Sequence, residues 1–319
     1  MSFKDHWIEV NRVPTRIRTW GKHLGQDLSE VDCLFLCVAG NPGVTGYYVP
    51  FLDTLHSRTE GVPVWMLSHA GHEFPPSDQD PSLSMPKLSN KTNHCLFNLQ
   101  GQIQHKIDFI RSHIPSHITI YLIGHSVGSK IIMDLVKQAP DISSRTGGCY
   151  LLFPTLERIR NTPAADFVVP LLTYLGPVLL FLASIFRLFP RPMQRFLVST
   201  TLMIQHFKSA DPHCVDATVD LINPNVLRHV IFLALDEMEM IKELDVETLN
   251  AHASKVRIYF GSKDDWCPPS HCWNLKDKCP NVRAQVCKED IKHAFVLHSS
   301  QSMAEKLAAW FEEDRKETE

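Results

Sequence analysis

The residues best placed to do chemistry are the five of Gly124-His125-Ser126-Val127-Gly128. They follow the apolar run Thr119-Ile120-Tyr121-Leu122-Ile123 and precede Ser129-Lys130-Ile131-Ile132-Met133-Asp134-Leu135-Val136, whose apolar spacing is helical. Strand, G-x-S-x-G and helix in that order describe a nucleophile turn: glycines leave room beside a serine held in a strained conformation with its Oγ raised above the sheet. The positive N-terminus of the following helix would face an oxyanion forming at Ser126. The bland alternative is a glycine-flanked serine in an ordinary strand-to-helix turn, and the flanking pattern argues against it.

A serine hydroxyl needs a base to take its proton, and the base needs an orienter; at such turns they follow in the order Ser, Asp or Glu, His. After Val256-Arg257-Ile258-Tyr259-Phe260 comes Gly261-Ser262-Lys263-Asp264-Asp265-Trp266. An acid at a strand's carboxyl end lies on the rim where sites form, so Asp264 is the expected orienter and Asp265 the alternate. Either could instead be a turn or helix-cap acid. His293, in Asp290-Ile291-Lys292-His293-Ala294-Phe295, follows the acid and is the expected base, with His298 competing among the 17 histidines.

An oxyanion hole takes one backbone N–H from the residue after the nucleophile, here Val127, and one from the loop after an early strand. Gly40-Asn41-Pro42-Gly43-Val44-Thr45-Gly46 fits the second role; Pro42 has no N–H, which leaves Asn41 or Gly43, with Asn41 preferred. The glycine spacing matches no phosphate-binding loop. Cys267, Cys272, Cys279 and Cys287 surround His271, but their spacing fits no common zinc finger. The 9 cysteines, several in apolar runs such as Leu34-Phe35-Leu36-Cys37-Val38, read as reduced thiols. The chemistry requires no metal and no organic cofactor.

The elements that must position these residues follow a strand–helix rhythm. Trp7-Ile8-Glu9-Val10 and Thr15 to Trp20 predict two half-buried antiparallel strands with a turn near Pro14. Cys33–Val38, Val62–Leu67, Ile118–Ile123, Leu151–Pro154 and Val256–Phe260 predict buried strands, and Gln100–His113 a helix with Ile103, Ile107 and Ile110 on one face. The result is a mostly parallel sheet flanked by helices. Residues 72–98, with Pro75, Pro76, Pro81 and Pro86, predict a long loop, and Met303–Phe311 a closing helix before a charged, fraying tail.

Length and a 44% hydrophobic content predict one catalytic domain over 1–319 with an inserted cap near 157–235. A formal charge of −3 offers nucleic acid and anionic membranes no bulk attraction, so lipid binding would be apolar. The N-terminus lacks the apolar stretch of a secretory signal, which predicts a start in the cytosol. Phe167 to Phe186 carries no charge, with Phe167, Leu171, Leu172, Leu175, Leu179, Leu180, Phe181 and Phe186 as candidate membrane contacts. Pro170 and Gly176-Pro177 favour a kinked or hairpin insertion into one leaflet over a straight span, with a buried cap as the competing reading.

Several further blocks carry a resemblance over most of the chain: Gly-Asn-Pro-Gly followed by Tyr47-Tyr48-Val49-Pro50-Phe51, Ser68-His69-Ala70-Gly71-His72, Leu99 to Lys106, Leu152-Phe153-Pro154-Thr155-Leu156-Glu157 and Asp264-Asp265-Trp266-Cys267-Pro268. With the Gly-His-Ser-Val-Gly turn, the sequence resembles the lipid droplet-associated hydrolase family. The resemblance implies an α/β-hydrolase fold, a triad on Ser126, Asp264 and His293, and residence at the cytosolic face of lipid droplets and endoplasmic reticulum. It implies a lipid ester substrate, cholesteryl or another neutral-lipid ester; it identifies no protein partner. Asp265 stands where the family pattern has a proline after the acid, which keeps both acids in play. The rival readings are a weakly active droplet protein with an organising role in lipid storage, and a soluble small-ester esterase whose apolar segment is a buried lid.

Overall fold

The computed structural model of the chain describes residues 3–76, 83–206 and 211–318. Among these residues one sheet holds β1 (Phe3–Val10), β2 (Val13–Trp20), β3 (Cys33–Val38), β4 (Val64–Leu67), β5 (Thr119–His125), β6 (Thr146–Leu152), β7 (Val256–Phe260) and β8 (Arg283–Val286). Their spatial order is β1-β2-β4-β3-β5-β6-β7-β8. β2 runs antiparallel to β1 and β4, and every other pairing is parallel. The parallel strands are apolar without alternation because helices cover both faces, and β3, β4 and β7 are buried along nearly their whole length.

The helices in chain order are α1 (Val49–Arg58), α2 (His94–Phe97), α3 (Leu99–His113), α4 (Val127–Gln138), α5 (Pro140–Ser144), α6 (Pro163–Phe186), α7 (Arg191–His206), α8 (Pro212–Leu221), α9 (Pro224–Met240), α10 (Val246–Ala251), α11 (Pro269–Lys278) and α12 (Ser300–Thr318). α1 packs on α12, and α3 on α4. Between β6 and β7 the chain leaves the sheet and builds α6 to α9, in which α6 packs on α9 and α7 on α8.

Register aligns the carboxyl ends that matter. Val38 pairs with Gly124, His125 with Leu152, Leu152 with Tyr259, and Phe260 with Val286. The loops leaving β3, β5, β7 and β8 therefore emerge on one rim, where an open α/β sheet forms its sites.

Several expectations need correction. The first hairpin turns at Asn11-Arg12, both at positive φ, and Pro14 lies inside β2 opposite Glu9; β2 is almost fully buried rather than half-buried. A two-residue turn with both φ values positive matches the strand twist, and neither residue need be glycine. β8 was not foreseen, since Arg-Ala-Gln-Val is half polar as befits an edge strand. The closing helix runs on to Thr318 instead of fraying. Of the long loop, Pro81 lies outside the described residues, while His94–Phe97 is helical.

The largest correction concerns the charge-free segment. It forms neither a kinked hairpin nor a buried lid but the 24-residue helix α6, continuous through Pro170 and Pro177. The two prolines are seven residues apart, two helical turns, so both fall on the exposed side. The ladder bonds they delete do not interrupt the face bearing buried Ala165, Gly176 and Ala183.

Candidate active site

Ser126 caps α4 at φ 54° and ψ −122°, a conformation that side chains rarely adopt. The strain is held by neighbours: Ser126 N–H donates to the Leu152 carbonyl at 3.0 Å, and the Ser126 carbonyl accepts from Ser129 N–H at 3.0 Å and Thr155 N–H at 3.3 Å. Gly128 is needed because a Cβ there would stand 2.2 Å from the Val38 carbonyl oxygen, so α4 starts against β3. Gly40 brings the loop after β3 to the nucleophile, since its Cβ would stand 3.0 Å from Ser126 Cβ.

The structure brings Ser126, His293 and Asp264 into one hydrogen-bonded chain. His293 Nε2 is 2.9 Å from Ser126 Oγ, and His293 Nδ1 is 2.7 Å from Asp264 Oδ2. An ionised carboxylate only accepts, so Nδ1 carries the hydrogen and Nε2 presents its lone pair to the serine hydroxyl. Asp264 Oδ1 accepts Trp266 N–H at 2.9 Å and Cys267 N–H at 3.1 Å, and Oδ2 also accepts the Cys267 thiol at 2.9 Å. Burial pushes the Asp264 carboxyl up, but the hydrogen bond and charge of His293 together with the Cys267 donors outweigh it and hold the group below its ordinary range. Asp265 is exposed and makes no side-chain bond to His293; its carbonyl accepts Ala164 N–H at 3.1 Å. His298 donates its backbone N–H to the Phe295 carbonyl at 3.1 Å.

The loop after β3 treats its two candidate donors differently. Gly43 N–H is already donated to His72 Nδ1 at 2.9 Å, while neither Asn41 N–H nor Val127 N–H has a partner among the described residues. The Asn41 side chain is held from α9, where the Val230 carbonyl accepts its amide at 3.1 Å and Glu237 Oε1 accepts it at 3.0 Å. Thr45 N–H and Oγ1 both donate to Glu73 Oε2, and His69 N–H to the Gly43 carbonyl. His72, Glu73 and Glu237 as supports of this loop were not found from the sequence; of the three only His72 lay in a block singled out there, Ser68 to His72, and it was given no role.

Asp264, Cys267 and His293 bring potential metal-ligand atoms within 4.8 Å of one another. Burial, then the Asp264 charge, pushes the Cys267 thiol well above its ordinary value, which keeps it protonated and disfavours ligation. All 9 cysteines are free thiols.

A cavity of about 750 Å³ opens beside Asp264 and His293, lined on its far side by Pro163, Ala164, Phe167 and Val168 from the start of α6. That helix then exposes Phe167 (72%), Tyr174 (79%) and Phe181 (64%), and Leu188 follows it at 82%. Of the residues expected to meet a membrane, Phe167, Leu175 and Phe181 are exposed, whereas Leu171, Leu172, Leu179, Leu180 and Phe186 are half-buried. Tyr174, Val178, Leu182, Ile185 and Leu188 are exposed and were not foreseen, because the prolines concealed the helical phase.

Residues 31–296 match the family model of the lipid-droplet associated hydrolases. A lipid droplet-associated hydrolase of Drosophila melanogaster is 35% identical over 94% of this chain and 95% of its own; those of Rattus norvegicus and Homo sapiens are 35% and 30% identical over 89% and 91% of this chain, and 86% and 87% of theirs. The chain belongs to the lipid droplet-associated hydrolase family. As a member it is a hydrolase, and its solved neighbours share the α/β-hydrolase fold. A thioesterase domain from the curacin biosynthetic pathway superposes at TM-score 0.64 and 11% identity over 97% of this chain and 100% of that one. A carboxylesterase of Nitrososphaera gargenis does so at 0.64 and 13% over 98% and 100%, and haloalkane dehalogenase DbeA of Bradyrhizobium elkani at 0.63 and 11% over 98% and 99%. At these identities the neighbours establish the fold and leave the reaction to the site itself.

Proposed function

We propose that this family member is a serine ester hydrolase that works on lipid esters at the surface of lipid droplets and the cytosolic face of the endoplasmic reticulum. The observation that carries the reading is the unbroken Ser126–His293–Asp264 chain at the foot of an exposed apolar helix. Ser126 Oγ attacks the ester carbonyl while His293 Nε2 takes the hydroxyl proton and Asp264 steadies the imidazolium. The carbonyl oxygen becomes an oxyanion, which Asn41 and Val127 N–H stabilise. Collapse expels the alcohol, which receives the proton from His293 and leaves an acyl-enzyme. Water, deprotonated by His293, then attacks the acyl carbon, and the fatty acid and free Ser126 are released.

Helices α6 to α9 act as the cap, with the exposed side of α6 and the residues after it lying in the droplet monolayer. Alone in water that face is a large unpartnered apolar surface, whereas in a monolayer it is buried without moving charge. A soluble esterase with a buried lid would not leave Tyr174, Phe181 and Leu188 exposed. Cholesteryl and other neutral-lipid esters are the substrate class, since a droplet presents them below its monolayer.

The test is fatty acid release from artificial droplets containing cholesteryl oleate or triolein, by the native chain and by Ser126→Ala. Release by the native chain alone supports the proposal. Droplet binding without release from either ester would overturn it in favour of an organising role in lipid storage.

A further inference from the structure

Beside the relay stands a second histidine that the hydrolytic steps do not use. His125, the residue before the nucleophile, is 6% exposed and hydrogen-bonded at both ring nitrogens. Its Nε2 is 2.9 Å from the backbone carbonyl oxygen of His293, and its Nδ1 is 2.6 Å from Tyr48 Oη. Tyr48 Oη in turn accepts Gly40 N–H at 2.8 Å. The protons of this chain are fixed by what each group can do. A carbonyl only accepts, so Nε2 carries the hydrogen; the tyrosine hydroxyl has one proton to give, and Nδ1 accepts it. His125 is thereby a neutral imidazole of one defined tautomer.

We infer that His125 is a positioning residue for the base and the oxyanion loop together, holding the backbone of His293 from one ring nitrogen and, through Tyr48, the Gly40 N–H from the other. The inference rests on the proposed roles of Ser126, His293 and Asn41. Gly40 is the residue before Asn41, and His293 is the base, so one rigid ring spaces two parts of the site that arrive from opposite ends of the chain. Few side chains offer a donor and an acceptor on opposite edges of one rigid ring. Phe295 at 4.9 Å and Phe153 at 6.3 Å meet that ring edge to face and fix its plane.

Neutrality is part of the role. The rings of His125 and His293 are 5.4 Å apart, and a charge on the first would oppose the imidazolium that the second must become. Burial, and then the proximity of His293, pulls the His125 pKa down to about 3. Burial likewise holds the Tyr48 hydroxyl protonated by pushing its pKa well up, so the donor to Nδ1 persists.

Three variants divide the clamp. His125→Asn keeps an acceptor near the Nδ1 position and loses the bond to His293. His125→Gln keeps a donor near the Nε2 position and loses the bond to Tyr48. Tyr48→Phe strands both Gly40 N–H and Nδ1. The readouts are the rate of Ser126 labelling by a fluorophosphonate, kcat and KM for p-nitrophenyl butyrate from about pH 5 to 9, and thermal melting. His125→Asn is expected to slow labelling and kcat on the order of 100-fold, the penalty of a misplaced base, with KM little changed. Tyr48→Phe is expected to slow them about tenfold, the weight of one hydrogen bond, and His125→Gln to recover most of the His125→Asn loss. If all three only lower the melting temperature and react normally per folded molecule, His125 is a core residue and the inference fails.

Ring nitrogen shifts of 15N-histidine in the full native chain give a readout independent of turnover. An Nε2–H tautomer unchanged from about pH 5 to 8 supports the clamp, and titration or an Nδ1–H tautomer overturns it. Should Ser126→Ala label like the native chain, the hydrolase proposal falls while the tautomer result still stands.

Discussion

On the rim at the carboxyl ends of the parallel strands the carboxylates of Asp264 and Glu73 are buried and paired, whereas along α6 apolar side chains are exposed and unpaired. Asp264 receives four hydrogen bonds from His293, Trp266 and Cys267, and Glu73 receives Thr45 and Arg16, all inside the protein. Tyr174 and Leu188, by contrast, are 79% and 82% exposed. The first arrangement is complete in water, because these two buried carboxylates have their partners within the protein. The second is completed only by an apolar phase. Under the proposed function, reactivity and targeting reside in regions that obey opposite rules, and one place where they meet is the cavity lined by His293 and Phe167.

The largest effects should come from the paired region. Ser126→Ala should abolish fluorophosphonate labelling, while His293→Ala and Asp264→Asn should slow ester turnover on the order of 10⁴-fold. Asp265→Asn, at an exposed position, should leave turnover within about twofold; an effect as large as that of Asp264→Asn would exchange the two acids. Next in size, the triple change Phe181→Ser, Leu182→Ser and Leu188→Ser removes three exposed apolar groups. At about 1.5 kcal/mol or more each, droplet partitioning in a flotation assay should drop on the order of 10³-fold. Labelling by a water-soluble probe without droplets should persist in that variant. Its loss there would show that the two regions are not separable.

Glu237 gives a smaller effect that joins the regions, since it reaches from the cap helix α9 to Asn41. Burial, opposed by the Asn41 bond, raises its pKa to about 8. The folded chain thus keeps this proton to higher pH than the unfolded chain, which releases it near about pH 4.3. By linkage, folding stability falls as pH rises between those two values and the loss is complete above the folded pKa. Glu237→Gln keeps an acceptor for Asn41 without the titration, so its melting temperature relative to the native chain should rise from about pH 5 to about pH 8. A parallel pair of melting curves would contradict this.

Salt should have the smallest effect. Two of the arginines after α6 are paired within the fold, Arg191 with Asp216 and Asp220 at 3.3 and 3.0 Å, and Arg195 with Asp216. Droplet binding should then change less than about twofold between 0.05 and 0.5 M salt, because apolar contacts are not screened. A steep loss would mean that lipid headgroup charge holds the protein.

How much of this was legible follows the same division. β3 and β7 were readable because strands buried on both faces write themselves as continuous apolar runs, and the nucleophile turn because tight geometry demands glycines at fixed positions. That Asp264 and His293 would stand as candidates beside Ser126 was legible from their order alone, and what separates Asp264 from Asp265 is the contact with His293 Nδ1. The supports His72, Glu73, Glu237 and Tyr48 were not readable in role, since each acts on a residue brought near only by the fold. α6 was misread because its prolines imply a break, and only three-dimensional packing shows that both fall on the exposed side while the small residues keep one face on the protein.

The central claim is that Ser126 is a nucleophile activated by His293. It is tested most directly by labelling the droplet-bound native chain and Ser126→Ala with a fluorophosphonate and mapping the modified peptide by mass spectrometry. The account predicts a single adduct on Ser126 in the native chain and none in the variant. An adduct elsewhere, or equal labelling of both proteins, would contradict it.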